Sequence, residues 1–131
     1  MSRREDTIRA LFERISARDF AGAVELLAED VEFDLAYAPE MLEMPVRGRA
    51  PLQDLLTNVI GGMFEPFHIG PTAVYPGEGD VMTAEYQSEA TVKHNGKQYV
   101  NRYVGVFRFR GDVIEFWREY HNTEAATQAL S

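Results

Sequence analysis

The 131-residue sequence contains no cysteine. That removes disulfide frameworks, thiolate nucleophiles and cysteine-based metal sites. Histidine is nearly as scarce, with His68, His94 and His121 alone. None sits in an HExxH motif or a closely spaced pair, so no metal site is expected. No G-x-S-x-G elbow is present, so a serine hydrolase triad lacks its usual marker. The glycines of GEG (77–79) and GG (61–62) fit neither the dinucleotide fingerprint nor the P-loop, and no organic cofactor is expected.

Positive charge is also in deficit, with 13 Lys and Arg against 21 Asp and Glu and a net charge of −8. Such a chain repels phosphate backbones and anionic lipid, which speaks against nucleic acid and membrane surfaces as partners. No apolar run approaches the roughly 18 residues of a membrane span. The opening MSRREDTIRALFERI is charged and amphipathic, without the apolar stretch of a secretory signal. These features predict a soluble cytoplasmic protein. No repeat, low-complexity tract or linker interrupts residues 1–131, which are expected to form a single domain.

Hydrophobic residues, at 45 %, suffice for a core. Ile8, Leu11, Phe12 and Ile15 follow the spacing of one helix face, and Ser2 with Glu5 fits a capping box before it. Asp19 reads as the N-cap of a short second helix that turns Val24 and Leu27 inward. Val31, Phe33 and Leu35 alternate with acids and predict a strand, and residues 36–48 read as a loop. Leu52, Leu55, Leu56, Val59, Ile60 and Met63 predict a third helix, with Pro51 in its first turn and Gly61-Gly62 weakening its end.

Beyond residue 65 the period falls to two. Strands are predicted near 67–75, 81–93, 97–110 and 113–121, with Asn95-Gly96 as a hairpin turn and a short helix over 123–130. Helices first and an antiparallel meander after them give an α+β class.

Alternation puts Tyr99, Asn101, Tyr103, Gly105, Phe107 and Phe109 on one face of strand 97–110, and Val100, Arg102, Val104, Val106 and Arg108 on the other. In the last strand Trp117, Glu119 and His121 share a face. A carboxyl beside tryptophan in an apolar pocket has a raised pKa and can serve as general acid or base. His121 could tune it or shuttle protons. The competing expectation is an ion pair between Glu119 and an arginine of a neighbouring strand. Glu85 and Glu89 are expected to pair with Arg102 or Arg108. The register of 81–93 leaves open whether Ser88 or Glu89 faces inward.

VRGRAPLQDLL (46–56) and NGKQYVNRYVGVFRFRGDVIEFWREYHN (95–122) resemble the SnoaL-like branch of the NTF2-like superfamily. The resemblance implies a cone: a strongly curved, mostly antiparallel sheet wrapped around three N-terminal helices, with a pocket at the open end and dimerisation through the outer sheet face. FHIG (67–70), GVF (105–107) and WREY (117–120) are similar to limonene-1,2-epoxide hydrolase, which carries an acid at the place of Glu119. That family's water-holding Tyr and Asn fall on Phe33 and Leu35. AEYQSEATV (84–92), YVNRYVGVFRF (99–109) and REYHN (118–122) are similar to the phenazine biosynthesis A/B family, whose proposed acid/base glutamate again matches Glu119.

The implied function is binding of a hydrophobic small molecule by a dimeric, cofactor-free enzyme of the cyclase, isomerase or hydrolase type. Glu119 and His121 are the candidate catalytic residues. Phe33, Leu35, Leu55, Leu56, Val59, Met63, Tyr103, Phe107 and Trp117 are the candidate walls, with Ser88, Asn101 and Tyr103 as polar contacts; Asn101 reads equally as a structural amide bonded to backbone. The alternative is a non-catalytic binding or accessory protein.

Overall fold

A computed structural model describes residues 2–131. The chain runs α1 (Arg3–Ser16), α2 (Phe20–Val24), β1 (Leu27–Leu35), β2 (Val46–Arg47), α3 (Arg49–Leu56), a π-helical turn (Thr57–Gly61), β3 (Phe64–Pro76), β4 (Val81–Val92), β5 (Gln98–Arg110), β6 (Val113–His121) and α4 (Thr123–Leu130). Ser2 caps α1 by accepting the Glu5 amide, and Asp19 caps α2 by accepting that of Gly22. Ile8, Leu11, Phe12 and Ile15 are sealed in the core.

The six strands form one curved, unclosed sheet in the order β2-β1-β6-β5-β4-β3. The meander β3–β6 is antiparallel, as alternation predicts. β1 departs from it, lying parallel to β6 with Asp34 beside Arg118 and Leu35 beside Glu119. The sheet is therefore mixed. β1 also begins at Leu27, four residues before the expected Val31, and the 36–48 loop contains β2.

The third helix keeps its apolar face but changes pitch. α3 buries Leu52 and Leu56, then widens into the π-helical turn before Gly62. A π turn carries one extra residue. Leu55, Val59, Ile60 and Met63 consequently face an unfilled space between the helices and the sheet.

A bulge in β6 sets the site's phase. Opposite β5 the register jumps between Arg108 and Phe109, which leaves Glu115 unpaired. Ile114 and Trp117 both turn inward as a result, and Trp117, Glu119 and His121 then alternate along the inner face. Behind this face, Arg118 pairs with Asp34 at 2.9 Å, and Glu115 takes Arg108 and Arg110. Glu85 and Glu89 do not meet the arginines expected for them. Glu85 faces Val104 on β5 and instead accepts a 2.7 Å bond from Tyr75 of β3.

Candidate functional site

The concave face of the sheet, α3 and α4 enclose a cavity of about 470 Å³, within the size range of small-molecule sites. Phe33 and Leu35 of β1 form one wall, and Leu55, Leu56, Val59 and Met63 form the opposite one. Tyr103 of β5 and Trp117, Glu119 and His121 of β6 make the floor. Three candidates lie elsewhere. Phe107 is wholly buried against Trp117 and Phe12, one layer behind the cavity. Ser88 faces inward, which settles the register of β4 and leaves Glu89 exposed, but its hydroxyl is spent on Tyr103 at 2.7 Å. Asn101 is also sealed behind the floor.

Asn101 is a structural amide with a fixed orientation. Its Oδ1 accepts the backbone amides of Arg102 (2.7 Å) and Asn122 (3.1 Å). Its Nδ2 must then donate, to the Tyr99 hydroxyl (2.7 Å) and the Asn122 carbonyl (3.0 Å). The Tyr99 hydroxyl, which accepts from Asn101, also bonds the Tyr103 hydroxyl at 3.1 Å, where either oxygen can donate. The relay ends at Tyr103, in the cavity floor.

Glu119 stands at the other end of the floor. The Tyr86 hydroxyl donates to its Oε1 at 2.5 Å, and Trp117 Nε1 donates to the Tyr86 oxygen at 3.3 Å. Among the described residues, no cation reaches the carboxylate. Burial pushes its pKa up to about 7, against the lowering effect of the Tyr86 bond. Burial also drives the Tyr86 phenol well above its usual value and the Tyr103 phenol upward, so both stay protonated donors. Desolvation lowers the pKa of His121, which favours the neutral ring, and its buried Nδ1 has no hydrogen-bond partner. His68 and His94 are exposed. Among the described residues, no three His, Cys, Asp or Glu side chains gather into a metal site.

Much of the mouth was not anticipated from sequence. Tyr37, Met41 and Met44 of the 36–45 segment line it, as do Thr123, Ala126 and Thr127 of α4. A loop has no periodicity to show which side chains turn inward. Tyr86 was missed as a partner of Glu119 because it sits two strands away, and its one sequence signal is a glycine on the inner face of the strand between.

The SnoaL-like domain profile matches residues 8–117. The chain belongs to the SnoaL-like family. Its relatives include the uncharacterised Bacillus subtilis protein YesE, 24 % identical over 125 residues that cover 95 % of this chain and 85 % of YesE. A Bacillus subtilis structure provisionally assigned as an isomerase superimposes with a TM-score of 0.87 at 25 % identity, covering 99 % of this chain and 96 % of that one. TerC, co-crystallised with polyporic acid, matches with a TM-score of 0.83 at 19 % identity and 98 % coverage of both chains. The fold is thus that of the NTF2-like, SnoaL-like group.

Proposed function

We propose that the cavity binds a neutral, largely apolar small molecule and moves a proton within it, with Glu119 as the acid–base group. The observation that carries this reading is a carboxyl poised near pH 7 on the floor of an apolar cavity, without a cation among the described residues to neutralise it. In its ionised form Glu119 takes a proton from one atom of the ligand. In its protonated form it returns that proton to another atom. The net change is an isomerisation or a ring closure, and no redox partner is required. Tyr103 can donate to a ligand oxygen at the far end, and His121 borders the same space. Among the described residues, no lysine or arginine lines the cavity, so an anionic ligand would enter uncompensated. The isomerase assignment of the Bacillus subtilis neighbour is consistent with this class.

A panel of neutral ketones, screened for turnover by the purified protein, supplies the assay. Glu119→Gln is expected to lower kcat by about 10²–10⁴-fold, the usual range for a general acid–base group. Wild-type kcat/KM should rise with pH through about 7, because the carboxylate form starts the reaction. Unchanged turnover in the variant would overturn the assignment. One observation favours a second reading, a binding protein without catalysis: Phe33 and Leu35 leave the β1 wall with no group to hold water. Such a protein would return every ligand of the panel chemically unchanged.

The proposal includes a dimer formed through the outer sheet face. Val100 and Val104 are 60 % and 38 % exposed there, opposite Glu89 and Glu85, and the same face carries Arg102 opposite Gln87. Both signs on one patch allow it to complement a second copy of itself.

A further inference from the structure

Glu119 has two carboxylate oxygens, and the protein treats them differently. Oε1 accepts the Tyr86 phenol. Among the described residues Oε2 takes no donor, yet it is not one of their sealed, unbonded polar atoms, where His121 Nδ1 stands alone. It therefore opens onto the cavity that Glu119 lines.

Tyr86 reaches Oε1 by an unusual route. It belongs to β4, Glu119 belongs to β6, and β5 runs between them. The residue of β5 opposite both Ala84 and Glu119 is Gly105. A Cβ at that position would stand 2.8 Å from Tyr86 Cε1, from the Tyr86 hydroxyl and from Phe107 Cε1. Real Cβ atoms essentially never show such contacts, so the phenol crosses β5 through the space that glycine leaves. At its far end the ring is fixed by stacking on Tyr103, with centroids 5.1 Å apart, and by packing on Phe12 at 4.3 Å. The Trp117 N–H occupies a lone pair of the Tyr86 oxygen, which directs the phenol hydrogen to Glu119.

We infer that Tyr86 is the positioning residue of the site: it ties down Oε1, leaves Oε2 as the oxygen that meets the ligand, and does so through the gap at Gly105. Tyr86 is 1 % exposed and does not line the cavity, so its hydroxyl acts on a ligand through Glu119 and not by contact. The inference rests on the acid–base reading of Glu119.

The test is a carbon-13 NMR titration of the full chain with labelled glutamate carboxyls, with Glu119→Gln used to assign the resonance. Tyr86→Phe keeps the ring and removes the donor to the ionised form, so the Glu119 midpoint should rise by about one unit, a tenfold change in proton affinity. Gly105→Ala should displace the phenol and move the midpoint the same way although Tyr86 is present. In turnover of the panel substrate, Tyr86→Phe should shift the apparent pKa of kcat and lower kcat while KM stays within about twofold. An unmoved midpoint in Tyr86→Phe overturns the inference without touching the acid–base reading. A Gly105→Ala protein that titrates like wild type overturns the role of the gap. Full turnover by Glu119→Gln overturns the acid–base reading and reduces Tyr86 to an anchor, whatever the titration shows.

Discussion

At the scale of the residue, Glu119 illustrates a cost accepted inside a fold. Its folded-state pKa lies near 7 and its ordinary value is 4.5. Between those values the folded protein holds a proton that the unfolded chain has released. Stability therefore falls as pH rises through this window. The full cost, about 3 kcal/mol, is reached above pH 7. Glu119→Gln keeps an oxygen for Tyr86 and removes the charge. Urea unfolding should find the variant little different from wild type at pH 4 and more stable at pH 8, by up to about 3 kcal/mol. Equal stabilities at both pH values would mean that the carboxyl is solvated.

The inward face of Trp117, Glu119 and His121 was legible from alternation, because β6 pairs on both sides and cannot slip without exposing Trp117. The partner of Glu119 was not legible. An arginine across the strand is a common answer for a strand glutamate, but here Arg118 turns outward to Asp34. Tyr86 instead arrives from two strands away, a relation that local periodicity does not encode. Asn101 was read as either a ligand contact or a structural amide bonded to backbone, and Ser88 as a contact only if the register of β4 turned it inward. Once buried, each needs a protein partner, and each found one before any ligand could.

At the scale of the element, α4 shows how one amide sets a wall. Asn122 caps α4 by accepting the Ala125 amide, and its own backbone N–H and C=O are both gripped by Asn101. At the other end of α4, Asn95 Nδ2 donates to the Ala129 carbonyl, and Lys97 Nζ reaches that of Gln128. The turn at 95–96 was readable as a hairpin, whereas its role as a clamp on a distant helix was not. Asn101→Ala should remove the partner of the Arg102 amide and of two backbone groups of Asn122, and one of the two partners of the Tyr99 hydroxyl. A loss of about 1–3 kcal/mol follows from the unsatisfied groups. Hydrogen exchange should accelerate in α4 more than in α1, which shares none of these bonds. Uniform acceleration across both helices would point to global loosening instead.

At the scale of the whole molecule, the periodic stretches carried most of the fold. The four antiparallel strands and α1 emerged near their true limits, because each buries one face. The parallel β1–β6 pair did not, since the contact between Asp34 and Arg118 spans 84 positions and leaves no trace in local pattern. The outer sheet face yields a further prediction. If two copies meet over β5, Val104→Asp places a charge in that interface, and sedimentation should find the variant dissociating at concentrations where wild type remains paired. Wild-type protein that sediments as a monomer at every concentration would remove the dimer from the proposal.

The sequence holds one tryptophan, and the fold places it in the cavity floor. Trp117 is 2 % exposed, packs on Phe33 and Phe107, and shares its N–H with the phenol that binds Glu119. Its emission therefore reports on one place only. A ligand entering the cavity would shift or quench that emission directly, with no label attached. Protonation of the neighbouring carboxyl would alter it along the same titration curve. The molecule thus carries its own optical probe, able to follow occupancy and ionisation of the site before any product has been identified.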